Sequence, residues 1–314
     1  MSQNTPDEAF RKKCNDVVSQ WEAGEISFRD VIIHLDGFRQ EAVDSGHLAN
    51  EAHVESQLGY VQHYRGNLPI STKHYDRSRV LFERLGSNRR VMILDLNRGE
   101  NYRMKGDLRE ALRLYRTVQT IAEEQAALPV QAMATVNEAL VLLEQQKYED
   151  AREILEKVRA LILKHDGTIN TNWGTIYCEL YSSMATIHLH TGDMDAAWDM
   201  AHKAWLVANR STHPVHMGHA NRIMAQVIEH MEEVPDPAFG DSPDVYFNKA
   251  VESFREIKAD AEVARTMYLH ALSLAQRGRR TAAARKLQQA MVIFTRLGMV
   301  ASAARAAEAQ LEIM

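Results

Sequence analysis

The sequence predicts an all-α protein, a right-handed solenoid of stacked antiparallel helix pairs. Three observations predict it. The stretch Leu96 to Val118 places Gly99, Tyr102, Gly106, Ala111 and Tyr115 at offsets of 3, 7, 12 and 16 from the first, small residues where two helices touch and aromatics where they fill the gap. The same spacing recurs along the chain. The 7 prolines fall at joints, leaving long proline-free segments, as helices require because an interior proline costs about 3 kcal/mol.

The recurrence can be followed in chain order. A small residue on a first helix and a turn residue seven later pair as Gly59 with Gly66, Gly99 with Gly106, Ala139 with Gln146, Ala185 with Gly192, and Ala271 with Gly278. The second helices then carry Ser71, Ala111, Ala151, Ala197 and Ala283, always twelve residues after the first small residue. A further unit begins at Ala225. An acidic insertion near 232–244, within EEVPDPAFGDSPDV, delays its second helix, where Phe247 stands in the small residue's place. Residues 1–50 read as a worn copy with Val17, Gly24 and the apolar run Val31, Ile32, Leu35, Phe38 and Ala42. The expected organisation is therefore a degenerate helix pair over 1–50, six helix pairs over 51–297, and a capping helix over 298–314. That last helix has Val300, Ala304, Ala307 and Leu311 at helical spacing, a stripe for packing on the array or on a second copy of the chain.

Composition narrows the function. Hydrophobic content of 45% and charged content of 25% are those of an ordinary globular chain. No stretch reaches the roughly 20 apolar residues of a membrane span, and MSQNTPDEAFRKK carries no signal core, so a cytoplasmic protein with no membrane partner is expected. Cys14 and Cys178 offer neither a disulfide framework nor a metal spacing. No GxxxxGK[ST], HExxH, GxSxG or GxGxxG motif occurs, and His165–Thr168 reads as a helix end closed by Gly167, so no enzyme and no cofactor is expected. His213, His216 and His219 recur every three residues, but that spacing drifts round a helix and argues against a metal site.

The net charge of −5 is uneven: residues 265–314 carry eight Arg or Lys against two Glu, +6, which leaves −11 elsewhere. Such asymmetry can mean an acidic partner. Nucleic acid is argued against, since a nucleic-acid groove interleaves basic residues with aromatics. The acidic insertion and the basic turn Arg277, Arg279 and Arg280 are expected as neighbours that neutralise one another.

GDLREALRLY and GDMDAAWDMA, with a small residue at the eighth position, Gly at the fifteenth and Ala at the twentieth, resemble the tetratricopeptide repeat over roughly residues 10 to 297. Unit starts lie 42, 40, 40, 46, 40 and 46 residues apart, longer than the family's usual period of about 34. That length, with VLFERLGSN and VIFTRLGMV, is similar to bacterial arrays that sense peptides or small molecules. The resemblance implies a concave groove lined by first-helix residues. In the first two full units these are His53, Ser56, Gln57, Tyr60, His63 and Tyr64, then Asn97, Glu100, Arg103 and Met104. Next come Met133, Asn137, Leu140 and Glu144, then Glu179, Ser182, Thr186 and His190, then His219, Arg222, Gln226, Glu229 and His230.

The expected activity is non-catalytic binding of a protein or peptide segment in that groove. The alternative is a bacterial regulator that changes pitch when a peptide or small ligand binds. The residues expected to carry it are Tyr60, His63, Asn97, Glu100, Arg103, Asn137, Thr186, His219, Arg222 and Gln226. Asn97 and Asn137 stand out because they share one register position, and a side-chain amide both gives and takes hydrogen bonds with an extended backbone. Ser56 and Tyr60 occupy places where the family's chaperone-tail clamp needs Lys and Asn, which argues against chaperone tails. A homo-oligomer through the C-terminal helix is the remaining partner expectation.

Overall fold

The computed structural model describes residues 5–166, 174–211 and 213–313, and among them it contains fifteen α-helices and no strand. Gly167 and Thr168 lie outside the described residues, so the helix end expected there is not among them. The chain forms two compact units, each a stack of antiparallel helices packed on their neighbours in sequence.

The first unit, Met1–Val130 with Glu256–Asp260, holds α1 (Glu8–Glu22), α2 (Phe28–Asp44), α3 (Leu48–Tyr64), α4 (Leu68–Arg84), α5 (Asn88–Lys105) and α6 (Leu108–Glu124). Local chemistry sets where these helices begin. Ser27 and Asp30 form a reciprocal capping box at the start of α2, and the Asp107 side chain accepts from the Glu110 N–H at the start of α6. Pro69 lies inside the first turn of α4, where its missing N–H costs nothing, and not in the turn before it.

The repeating small residues do what their spacing predicts. A β-carbon on Gly59 would lie 2.5 Å from the Tyr75 ring, and one on Gly99 would strike the Tyr115 ring. Both rings are buried, so α3 can lie against α4, and α5 against α6, only because the side chain is missing. At the turn, Gly106 takes φ 88°, a left-handed conformation that a β-carbon disfavours. Phe10, Cys14, Trp21, Leu35 and Leu58 form a core beneath α1–α3.

The second unit, Gln131–Arg255 with Ala261–Met314, continues with α7 (Leu128–Glu144), α8 (Tyr148–Asp166), α9 (Gly174–Thr191), α10 (Met194–Ser211) and α11 (Pro214–Glu229). After a 3-10 turn at Pro237–Phe239 come α12 (Pro243–Glu256), α13 (Asp260–Gln276), α14 (Arg280–Arg296) and α15 (Val300–Ile313). Gln146 takes the left-handed turn position with φ 59° where other units use glycine. The insertion folds back on α10, where Phe239 meets Trp198, His202 and Trp205 edge-on at 4.9–5.4 Å between ring centroids. Phe247 is fully buried and stacks on His270, so the insertion unit fills with a ring the space its neighbours close with alanine.

One expectation is corrected. In α15 the buried residues are Ser302, Ala306 and Ala309, whereas Val300 and Leu311 of the predicted stripe are 75% and 71% exposed. The helix is rotated so that its smallest side chains approach α14, leaving the bulkier stripe in water.

Candidate functional site

The candidate residues lie on first helices: α3 and α5 in the first unit, and α7, α9 and α11 in the second. Their surroundings separate them into residues already engaged within the chain and residues that are not.

In the first unit, Tyr60 donates its hydroxyl to Glu22 and packs edge-on against Tyr64 at 4.7 Å. Burial, with Tyr64 and Glu22 beside it, holds its ionisation well above the usual tyrosine range. His63 shares a 2.7 Å hydrogen bond through Nδ1 with Oδ1 of Asn101. Asn101 is fully buried and donates its Nδ2 to Ser71 and Thr72, so this network ties α3, α4 and α5 together. Arg103 binds Glu100 through two bonds of 2.6 and 2.8 Å, and the Tyr115 hydroxyl donates to the same carboxylate at 3.3 Å. This fork leaves little net charge at the surface. Asn97 differs from all of these: it is half-buried, and its amide has no partner among the described residues.

In the second unit, Thr186 returns its hydroxyl to the Ser182 carbonyl at 3.0 Å. His219 Nδ1 accepts from Arg222 Nη2 at 2.9 Å, and Arg222 Nη1 donates to Glu262 at 2.5 Å while its guanidinium lies over the Phe254 ring. Glu262 also receives Arg265 at 3.0 Å. Burial alone would raise the Glu262 carboxyl, but Arg222, Arg265 and His219 overcome it and hold the group well below the usual range. The charges on α11 and α13 thus close on themselves. Asn137 and Gln226 are the counterparts of Asn97, half-buried amides without a partner among the described residues.

Further groove candidates are engaged within the chain. His53 is 5% exposed, and burial with Arg90 and Arg11 nearby pushes it down to about 4. Met104 is buried, and His190 stacks on Tyr148 at 4.1 Å. Asn101 and Glu262 were missed by sequence reasoning because the repeat register assigns neither to the groove.

The acidic insertion and the basic turn meet through Arg277 and Arg279, but not through Arg280. Asp244 binds Arg277 at 2.5 Å, Arg279 at 2.6 Å and His270 at 2.8 Å. Burial opposes ionisation of Asp244, but the bonds from Arg277 and His270 lower it to about 2. Among the described residues no three His, Cys, Asp or Glu side chains gather as a metal site, and no helix is long and apolar enough to cross a membrane. His213 precedes the helix as the N-cap of α11, accepting from the Val215 N–H at 3.3 Å.

No protein-family model matches this sequence. No curated protein matches it either. Among solved structures the chain is similar to the apo form of RapI, at 12% identity and a TM-score of 0.61, over 90% of this chain and 97% of that one. It is also similar to aspartyl phosphate phosphatase F from Bacillus subtilis, at 12% identity and a TM-score of 0.59, over 83% and 67%. A third is the Rap conjugation gene regulator of plasmid pLS20 in complex with the Phr* peptide, at 11% identity, a TM-score of 0.58 and coverage of 97% and 95%. At such identities the likeness is one of fold, and the fold is that of a helical-repeat protein.

Proposed function

We propose that this chain is a long-period tetratricopeptide-type module that binds an extended peptide or protein segment on its first-helix faces without chemistry. The observation that carries the reading is the pattern of free amides. Asn97 in the first unit, and Asn137 and Gln226 in the second, are half-buried and unpaired, while the charged candidates beside them are neutralised within the chain. A surface that keeps amides free between closed ion pairs favours a ligand read through its backbone. Tyr60, His63, Glu100 and Arg103 then shape and stiffen the face of the first unit, and Thr186, His219 and Arg222 that of the second, so that binding need not order either face.

A non-catalytic role is supported by the two cysteines. Both thiols are buried, Cys14 pushed up to about 12 and Cys178 raised as well, so neither is a nucleophile at neutral pH. A peptide-responsive regulator is the second reading. It is favoured by the fold shared with a conjugation gene regulator in complex with a peptide. The exposed Val300 and Leu311 stripe on α15 supports self-association, which light scattering on V300E/L311E against the parent chain tests.

The binding reading is tested by selecting displayed random decapeptides against the intact protein and titrating the enriched sequence calorimetrically. Asn97→Ala, for a peptide held on the first unit, or Asn137→Ala, for one held on the second, loses about 1–2 kcal/mol, roughly five- to thirtyfold in affinity, with unchanged unfolding midpoints. Unchanged affinity in both variants would remove the reading. Scattering with and without the peptide separates a static adaptor, which keeps its radius, from a regulator, which does not.

A further inference from the structure

A cleft of about 740 Å³ lies between α14 and α15 in the second unit. Its α14 wall presents Arg280, Thr281, Arg285, Gln288 and Gln289, and its α15 wall presents Gln310 beside Ile313. The volume falls among ligand-binding clefts, which run to roughly 300–1,000 Å³. Helical periodicity explains the lining. Ala283, Leu287, Ala290 and Phe294 turn one face of α14 into the core, and the polar residues interleaved with them are left on the cleft side.

The charge of this cleft is not accounted for inside the chain. Of the basic residues in the C-terminal segment, Arg265 binds Glu262, Arg277 and Arg279 bind Asp244, and Arg305 reaches the Ser302 hydroxyl. Arg280 and Arg285 have no partner among the described residues. Nor is a counter-charge supplied by the helix itself. Arg279 gives α14 no side-chain cap and its first turn holds no acidic residue, although a helix N-terminus is the end that attracts one. Two unneutralised guanidinium groups therefore sit where the backbone already favours an anion. The amides of Gln288, Gln289 and Gln310 and the Thr281 hydroxyl are likewise without hydrogen-bond partners among the described residues.

We propose that the α14–α15 cleft is a second binding site, separate from the first-helix faces, that takes an acidic extended segment of a partner protein. The pairing of functions follows from the donor set. Guanidinium forks donate to carboxylates, and glutamine amides can both give to and take from a peptide backbone. Ile313 offers an apolar contact for the flank. The cleft has no aromatic ring on which a nucleic-acid base could stack, and a lone inorganic anion would leave the three amides unused. The chain's own Asp244 is held by Arg277, Arg279 and His270 and does not compete for the site.

The test uses the full chain and an end-capped, fluorescein-labelled hexaglutamate peptide, read by anisotropy at low salt. Saturable binding is expected, weakening as salt shortens the Debye length below about 10 Å. R280E/R285E should lower affinity on the order of tenfold or more, about 1.4 kcal/mol per factor of ten. Q288A/Q289A/Q310A, which changes no charge, should lower it severalfold, and N97A/N137A should leave it unchanged. All of these positions lie on helix surfaces, and circular dichroism checks that each variant is folded. The proposal is overturned if hexaglutamate does not bind or R280E/R285E binds it equally well. It is also overturned if inorganic phosphate or a single-stranded oligonucleotide displaces it at lower concentration, or if sedimentation shows that R280E/R285E dissolves a dimer. A loss confined to N97A/N137A would place the peptide on the first-helix face instead.

Discussion

Replacing Glu262 by glutamine tests whether the charges of α11 and α13 are a structural unit. The side chains of Glu262, Arg222 and Arg265 are 13%, 16% and 20% exposed, so the carboxylate holds two cations in a poorly hydrated place. Removing one partner of a buried ion pair costs about 3–5 kcal/mol, because the other charge is left without compensation. The lower end applies, about 3 kcal/mol, since Glu262 keeps some contact with water and glutamine retains one acceptor. For a unit of this size that is a fall of roughly 6–12 °C in melting temperature.

The pH dependence gives the sign. Glu262 has its folded ionisation depressed, so its contribution is present above the ordinary carboxylate value and is lost as pH falls through the depressed one. Thermal unfolding of the parent and E262Q, followed by circular dichroism, should show the full gap at pH 7 and a gap that closes in strong acid. Arg222→Met with Glu262→Leu should recover most of the loss, because an apolar pair needs no hydration. Equal stability of E262Q at pH 7, or a gap that does not depend on pH, would refute the reasoning.

Three further outcomes follow from other parts of the molecule. Gly99→Ala drives a β-carbon into the buried Tyr115 ring and should cost about 1–3 kcal/mol in urea unfolding, with no effect on secondary-structure content. Gln146→Gly should stabilise by up to about 1 kcal/mol, since a side chain at φ 59° carries a left-handed penalty of roughly 1–2 kcal/mol and glycine's extra unfolded-state freedom offsets part of the relief. His53, His216 and His270 are each lowered to about 4, all three first by burial. The unfolded chain therefore binds more protons than the folded one between pH 6.5 and 4, and stability should decline steadily over that interval. Urea midpoints at half-unit steps check this, and a midpoint that rises on acidification would contradict it.

Much of the architecture was legible because helix packing writes itself into side-chain size. Gly59 and Gly99 had to be small for Tyr75 and Tyr115 to lie against them, and Gly106 had to accept a positive φ. Steric exclusion acts on one residue at a time, so spacing alone exposes it. The turn at Gln146 was legible for the same reason, because its place in the register demanded the left-handed conformation whatever residue stood there. Of the two expectations for the α15 stripe, packing on the array failed, because pattern alone assigns apolar residues such as Val300 and Leu311 inward. Packing instead favoured the close approach that Ala306 and Ala309 allow.

The candidate site was legible only as a set of positions. By itself the sequence determined that the chain is helical, that its helices pair at a period near 40, and which residues ride on first helices. Tertiary structure decided which of those residues remain available. Arg222 is held by Glu262 forty residues away, while Asn97, Asn137 and Gln226 are left with amides to offer. The reason is range: a turn or a close contact depends on neighbours at set spacings, whereas an ion pair depends on which distant charge the packing brings within reach.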